Sequence, residues 1–248
     1  MAGLTLYQLG DFGPVYGPAS GLARGDGPGV VILHGSEGPM AGWAHRFAAI
    51  LAAHGMLALP LGYGQGDFWG AGPIRDVDLR RVAEAGRALG GDPRCRGVGL
   101  LGWSFGAGAA LLTAAFSGRD PFGCVAAHAG ADVVTPAFDP AARRAGVSVL
   151  SAGAAGARAF VWSGEEAALE PLSPLPVGRI VVPVLLTVGA QDTILPPELT
   201  LRVADRLAQA GNPAEVWVAP GQGHGFDFDT EPQFWARLVA FFNRHLGA

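Results

Sequence analysis

A glycine-bracketed turn between a predicted strand and a predicted helix constrains this chain more than any other feature. The apolar run at residues 98–101 is too short for a helix, and it ends in Gly102-Trp103-Ser104-Phe105-Gly106, which an alanine- and leucine-rich run follows. So sharp a turn strains its central residue, and flanking glycines leave room for the chain to fold back. The pattern predicts strand, turn and helix, with the Ser104 hydroxyl held out at the carboxyl edge of a sheet.

A serine in that position can act as a nucleophile, and the following helix can support it. The N–H of Phe105 lies at the predicted helix start, where the positive end of the helix dipole can face a developing oxyanion. The same pentapeptide can also arise by chance in a chain with 39 glycines. The interpretation therefore depends on whether partner residues follow other strands.

Composition and charge argue against several other classes of protein. With 248 residues, 50% of them hydrophobic, the chain suits a single α/β domain over 1–248. A formal charge of -4 without a basic cluster argues against a nucleic-acid or anionic-membrane partner. Mean hydropathy is +0.30, yet no apolar run reaches the roughly 18 residues of a membrane span. No signal-peptide pattern opens the chain, so the expected location is the cytoplasm.

Neither a metal nor a cofactor is expected from the sequence. Cys95 and Cys124 make neither a disulfide framework nor a metal cluster. The string Gly97-Val98-Gly99-Leu100-Leu101-Gly102 matches a dinucleotide-binding fingerprint, with Asp120 further along the chain. That fingerprint should follow a strand, whereas here the strand residues lie within the match, so a nucleotide-binding enzyme is disfavoured.

Apolar runs that alternate with helical patterns predict the fold class. A weak strand at Leu4–Leu9 is followed by a Gly- and Pro-rich stretch that could form a hairpin or cross the surface. Stronger strands are expected at 30–33, 56–60, 98–101, 122–129, 181–188 and 214–219, and helices at 43–54, 76–89, 197–210 and 232–246. Six to eight strands separated by helices predict an α/β fold with a mostly parallel sheet and helices on both faces.

A long connection interrupts this alternation between residues 135 and 178. It contains five prolines and two apolar runs, at 147–150 and 159–162. A connection of this length carries structure or a function of its own, and a lid over the pocket is the usual one. We therefore predict a small lid at 135–178, where substrates would be selected.

Two polar side chains follow late strands of the predicted sheet. Asp192 comes after the strand at 181–188, and His224 comes after the strand at 214–219. Because the carboxyl ends of parallel strands share one edge, both can meet Ser104, in the order that the turn motif requires. His224 would take the serine proton, and Asp192 would orient the resulting imidazolium. The alternatives are a helix N-cap for Asp192 and a surface position for His224.

The loop His34-Gly35-Ser36-Glu37-Gly38 follows the first strong strand and should lie at the same edge. In a glycine-rich turn before a helix, backbone N–H groups can converge on an anion. We assign the second oxyanion donor to the N–H of Ser36, with that of Glu37 as the close alternative. His34 is expected to hold this loop through its ring.

Aromatic side chains near the predicted site indicate an apolar wall for the substrate. Phe68 and Trp69 lie in a glycine-rich loop, and Trp103 precedes the nucleophile. The loop aromatics could equally cover the core. His128 ends a strand, so we expect it to line the pocket and place it second to His224 as the base. The aromatic wall favours small to medium acyl groups.

With Gly-Trp-Ser-Phe-Gly, Asp192 and His224 in place, the sequence resembles the α/β-hydrolase superfamily over nearly its full length. It looks most like the dienelactone hydrolase family and the catalytic domain of acyl-CoA thioester hydrolases and bile acid-CoA:amino acid N-acyltransferases. The matching stretches are residues 34–38, 101–108, 176–180 and 184–192. The resemblance implies an α/β-hydrolase fold and a hydrolase with a small-molecule substrate.

Departures from these families narrow the implied activity. Ser104 stands where dienelactone hydrolases and the N-acyltransferases have cysteine, which favours hydrolysis of a carboxylic ester, lactone or thioester through an acyl-enzyme. Phe105 stands where the thioesterase-like turn has a basic residue, which weighs against a CoA substrate. The alternatives are an acyl-CoA thioesterase or acyltransferase-like enzyme, and a non-catalytic binding protein on the same fold. The sequence predicts no oligomeric state.

Overall fold

The computed structural model describes residues 3–39, 43–64, 72–141 and 157–247. Its strands are β1 (Leu4–Leu9), β2 (Gly13–Pro18), β3 (Gly27–Leu33), β4 (Leu57–Leu61), β5 (Val77–Asp78), β6 (Cys95–Trp103), β7 (Phe122–His128), β8 (Phe160–Val161), β9 (Val184–Gly189) and β10 (Glu215–Ala219). Its helices are α1 (Trp43–Ala53), α2 (Arg80–Gly90), α3 (Phe105–Ser117), α4 (Pro197–Gln209) and α5 (Glu231–Leu246).

Eight of these strands form one sheet in the order β1-β2-β4-β3-β6-β7-β9-β10. From β4 to β10 every neighbouring pair is parallel, whereas β1 and β2 form an antiparallel hairpin at one edge. Of the two possibilities for the N-terminal stretch, the hairpin is therefore the one observed. In the parallel part, β3, β6, β7, β9 and β10 all end at the same edge of the sheet.

Helices cover both faces of the sheet, which explains why the central strands show no alternation of apolar and polar residues. Every residue of β3 is buried, because α1 and α5 pack on one face and α2, α3 and α4 on the other. The predicted mostly parallel sheet with two helical layers is confirmed. No helix in the described ranges has the length and apolar character needed to cross a membrane.

The helix expected at 76–89 begins later than the sequence pattern indicates. Residues Val77–Asp78 pair in parallel with Phe160–Val161, and the helix starts at Arg80, whose N–H donates to the Asp78 carboxylate over 3.0 Å. A long-range strand pair thus replaces the first helical turn. The suggested dinucleotide fingerprint lies entirely inside β6, so it opens no helix.

The described parts of the segment predicted as a lid, residues 135–141 and 157–178, are paired with and packed against the rest of the fold. Isolated bridges join Ile74 to Phe138 and Val133 to Pro174, and Phe160 is fully buried. Residues 142–156 lie outside the described ranges. The lid function and the single-domain boundaries remain predictions.

Candidate active site

Ser104 forms the turn between the end of β6 and the start of α3. Its backbone has φ 54° and ψ -117°, a region that residues other than glycine rarely adopt. Its N–H donates to the carbonyl oxygen of His128, at the end of the neighbouring strand β7, over 2.8 Å. The strained turn is therefore anchored to the sheet, and the side chain of Ser104 projects from the sheet edge.

Close backbone packing explains the two glycines of the motif. A Cβ atom on Gly102 would overlap the backbone of Gly106, and a Cβ atom on Gly106 would overlap the carbonyl oxygens of Leu33 and His34. The first turn of α3 thus lies directly against the ends of β3 and β6. Alanine at either position would displace Ser104.

The structure brings Ser104, His224 and Asp192 together in one hydrogen-bonded line. Nε2 of His224 lies 2.9 Å from the Ser104 hydroxyl, and Nδ1 lies 2.7 Å from Oδ2 of Asp192. All three residues follow strands that end at the same sheet edge, which is the arrangement expected from their order. His224 is therefore neither an isolated surface residue nor free to rotate.

Asp192 is buried, and the second oxygen of its carboxylate is also occupied. Oδ1 accepts the N–H groups of Ile194 and Leu195 over 2.9 and 3.0 Å. Burial opposes ionisation, but the hydrogen bonds from His224 and from these amides outweigh it and hold the pKa of Asp192 below its usual value. The cap position of α4 belongs to Pro196, so Asp192 is not a helix cap.

The expectation that His128 lines the pocket is wrong, because its side chain is fully buried beneath His224. Nε2 of His128 lies 3.0 Å from the carbonyl oxygen of His224, and Nδ1 lies 2.9 Å from the Thr187 hydroxyl. A carbonyl oxygen can only accept, so Nε2 carries the proton and Nδ1 accepts from Thr187. Burial lowers the pKa of His128 to about 3. It therefore positions the backbone of His224.

Hydrogen bonds from His34 and Tyr63 hold the loop after β3 in place. Nδ1 of His34 donates to the Gly35 carbonyl oxygen over 2.7 Å, and the Tyr63 hydroxyl donates to the His34 carbonyl oxygen over 2.7 Å. The two rings are stacked with their centroids 4.1 Å apart. Burial lowers the pKa of His34 to about 4. His34 thus supports the loop, as expected from the sequence.

This loop places Ser36 and Glu37 at the wall of the cavity that contains Ser104. In the described part of the chain, the N–H groups of Ser36 and Phe105 donate to no protein acceptor. The N–H groups of Gly35 and Glu37 instead stabilise the ionised carboxyl of Glu37. The amides of Ser36 and Phe105 are therefore the ones available to a bound anion.

The cavity beside Ser104 has a volume of about 410 Å³ and a largely apolar wall. Trp103 belongs to this wall as predicted, whereas Phe68 and Trp69 lie outside the described residues. Residues that sequence reasoning missed also contribute: Trp43, Thr135, Phe138, Pro140, Ile194 and Leu195. Thr135 and Phe138 come from the segment predicted as a lid, whose irregular sequence gives no sign of which side chains face the site.

A comparison with protein-family models matches residues 78–248 to the prolyl oligopeptidase family. The chain belongs to the prolyl oligopeptidase family. The matched region contains Ser104, Asp192 and His224. The sequence analysis did not predict this particular family, because the turn motif and the residue order are features of the whole α/β-hydrolase superfamily.

Relatives of this prolyl oligopeptidase family member include a putative carboxymethylenebutenolidase, that is, a dienelactone hydrolase, of Yersinia pestis. It is 31% identical over an alignment of 91 residues, and the match covers 33% of this chain and 34% of the relative. The match thus spans about a third of the curated relative. The predicted membership of the α/β-hydrolase superfamily is confirmed.

Solved structures of low sequence identity share the fold of this prolyl oligopeptidase family member. A Mycobacterium tuberculosis puromycin-hydrolyzing peptidase is 21% identical with a TM-score of 0.70, over 99% of this chain but 40% of that chain. A dienelactone hydrolase-like promiscuous phosphotriesterase from metagenomic libraries is 18% identical with a TM-score of 0.63, over 99% of this chain and 98% of that chain.

Proposed function

We propose that the chain is a serine hydrolase that cleaves a carboxylic ester, lactone or thioester through an acyl-enzyme on Ser104. The observation that carries this proposal is the hydrogen-bonded line from the Ser104 hydroxyl through the His224 ring to Asp192. The prolyl oligopeptidase family match and the dienelactone hydrolase relative support it. The proposed location remains the cytoplasm.

The roles of the three side chains follow from the path of the proton. Nε2 of His224 removes the hydroxyl proton while Ser104 Oγ bonds to the carbonyl carbon, and Asp192 stabilises the imidazolium. The imidazolium then donates this proton to the departing alcohol or thiol, which leaves an acyl group on Ser104. A water molecule, deprotonated by His224, releases the acid by the same steps in reverse order.

The amides of Phe105 and Ser36 are the donors proposed for the oxyanion. Phe105 opens α3, so its N–H is directed out of the helix at the positive end of the helix dipole. Ser36 is preferred to Glu37 because the N–H of Glu37 serves its own carboxyl. Each donor of this kind contributes on the order of a hundredfold to a thousandfold in rate.

A peptide bond is the second candidate substrate. The family match and the shared fold of the puromycin-hydrolyzing peptidase favour it, since the same three residues can cleave an amide. The cavity volume of about 410 Å³ supports the preference for small to medium acyl groups in either reaction.

Labelling with a fluorophosphonate tests the nucleophile and the base together. We expect the protein to be labelled at Ser104, Ser104→Ala to lose the label, and His224→Ala to react at least a hundredfold more slowly. Labelling of His224→Ala at the unchanged rate would contradict the assigned base. Rates on an ester, a lactone, a thioester and an amide with the same acyl group then rank the substrate classes.

A further inference from the structure

Glycines on both sides of His224 give its loop few packing contacts of its own. A Cβ atom on Gly223 or on Gly225 would meet no described atom within 4 Å. Neither glycine has a positive φ, so no close contact or turn in the structure requires glycine there. Glycine leaves the backbone more rotational freedom than any other residue. The position of His224 therefore depends on contacts that restrain the loop at its ends.

A reciprocal pair of hydrogen bonds closes this loop between Gln222 and Asp227. Nε2 of Gln222 donates to Oδ2 of Asp227 over 2.9 Å, and the N–H of Asp227 donates back to Oε1 of Gln222 over 2.9 Å. A carboxylate only accepts and a backbone N–H only donates, so this pair also fixes the orientation of the Gln222 amide. Gln222 is only 8% exposed, and a buried amide without a partner costs free energy.

The two ends of this pair are joined to different parts of the site. The carbonyl oxygen of Gln222 accepts the N–H of Gln191 over 2.7 Å, in the loop that carries Asp192. The carbonyl oxygen of Asp227 accepts the N–H of Glu231, the first residue of α5, over 2.9 Å. The pair thus connects the loop of His224 to the carboxylate loop on one side and to a helix on the other.

We infer that Gln222 and Asp227 are positioning residues, whose paired hydrogen bonds hold the loop so that the ring of His224 stays within reach of Ser104. This inference rests on the proposed hydrolysis at Ser104 and adds two residues that act through its base. His224 and Gly225 line the cavity, whereas Gln222 and Asp227 are not among its described lining residues. Loss of the pair therefore lowers the rate of reaction at Ser104 more than the binding of a small ligand.

Exchanging the polar groups of the pair tests the hydrogen bonds while the shapes of the side chains stay the same. In Gln222→Glu, a carboxylate oxygen replaces Nε2 and faces the Asp227 carboxylate, so the two side chains repel each other. In Asp227→Asn, one acceptor oxygen is lost, and the bond to Gln222 or the 2.8 Å bond from the Thr230 N–H is broken. In the double variant, the new amide at position 227 donates to the new carboxylate at position 222, so the pair forms again with reversed polarity.

The rate at which a fluorophosphonate labels Ser104 is the main measurement, taken over a range of probe concentrations. This range separates the rate at saturation from the binding of the probe. We expect the saturating rate to fall about tenfold to a hundredfold in each single variant, because a displacement of about 1 Å can cost a hundredfold. The double variant should return to within about threefold of the unchanged protein. For p-nitrophenyl butyrate, kcat should follow the same order while KM stays unchanged.

The matched control places the same changes at exposed positions of α4. Gln209→Glu, Asp205→Asn and their combination change the charge in the same way on the surface, and all three should keep the rates of the unchanged protein. Asp227 is exposed, so Asp227→Asn should fold, which keeps the test independent of the folding of Gln222→Glu. Urea unfolding checks that each variant is folded under the assay conditions.

The other outcomes overturn the inference, each for a different reason. Single variants that react at the unchanged rate would show that the pair only supports the start of α5. A double variant no faster than the single variants would show that the loss comes from each side chain separately and not from the bond between them. Weaker probe binding at an unchanged saturating rate would mean that the loop shapes the cavity instead. If the unchanged protein is not labelled at all, the proposed nucleophile fails first and the inference fails with it.

Discussion

At the scale of single residues, His224 is fixed both at its ring and at its backbone. Asp192 accepts from Nδ1, which leaves Nε2 directed at Ser104. His128 donates to the His224 carbonyl oxygen from below, and Thr187 sets the proton of His128 on the nitrogen that does so. The proposed base is thus oriented before any substrate binds, which is a requirement for efficient general-base catalysis.

Replacing Asp192 by asparagine tests this orientation. We expect Asp192→Asn to fold and to lose about 10⁴-fold in kcat, because an amide can donate to Nδ1 and so turn the proton of His224 toward Ser104. The control is Asp205→Asn, an exposed change on α4, which should keep full activity. A kcat within tenfold of the unchanged protein would show that His224 needs no carboxylate partner.

The sequence predicts which residues lie at strand ends better than it predicts where their side chains point. Ser104, Asp192 and His224 could be placed near one another because the topology of a parallel sheet brings such positions to one edge. His128 occupies the same kind of position, but a sequence does not say whether a side chain at a strand end faces the cavity or the core. The cavity residue Thr135 lies in a segment without periodicity, so no pattern indicated it.

At the scale of secondary structure elements, the pairing of β5 with β8 holds the segment predicted as a lid against α3. Phe160 on β8 is fully buried, with its ring centroid 5.5 Å from that of Phe105 and 6.4 Å from that of Tyr63. These contacts connect the lid segment, the first residue of α3 and the tyrosine that supports the Ser36 loop. The sequence pattern at 76–89 indicated only a helix, because the pairing partner lies about 80 residues away.

Phe160→Ala measures how much this connection contributes. We expect it to lower the free energy of unfolding by about 3–5 kcal/mol, since it leaves a cavity in a packed core. The same change at Phe228, whose side chain is 88% exposed, should alter it by less than about 0.5 kcal/mol. Urea unfolding of both variants provides the measurement, and equal losses would show that the β5–β8 contact is not part of the cooperative core.

At the scale of the whole molecule, buried histidines connect stability to pH. His34 supports the loop after β3 and His128 the backbone of His224, and both are buried in the neutral form. Their pKa values are lowered to about 4 and about 3, against about 6.5 in an unfolded chain. Between these limits the unfolded chain binds protons that the folded chain excludes, so stability falls as pH decreases below 6.5.

The expected loss of unfolding free energy between pH 7.5 and 5.0 is about 2 kcal/mol for each of the two histidines. Glu37 acts in the opposite direction, because burial raises its pKa and protonation then favours the folded state. Urea unfolding at the two pH values measures the difference, and His34→Asn should reduce it by about 2 kcal/mol, since asparagine does not titrate. If His34→Asn loses as much unfolding free energy between pH 7.5 and 5.0 as the unchanged protein, His34 does not take up a proton on unfolding. The acid sensitivity would then come from other groups.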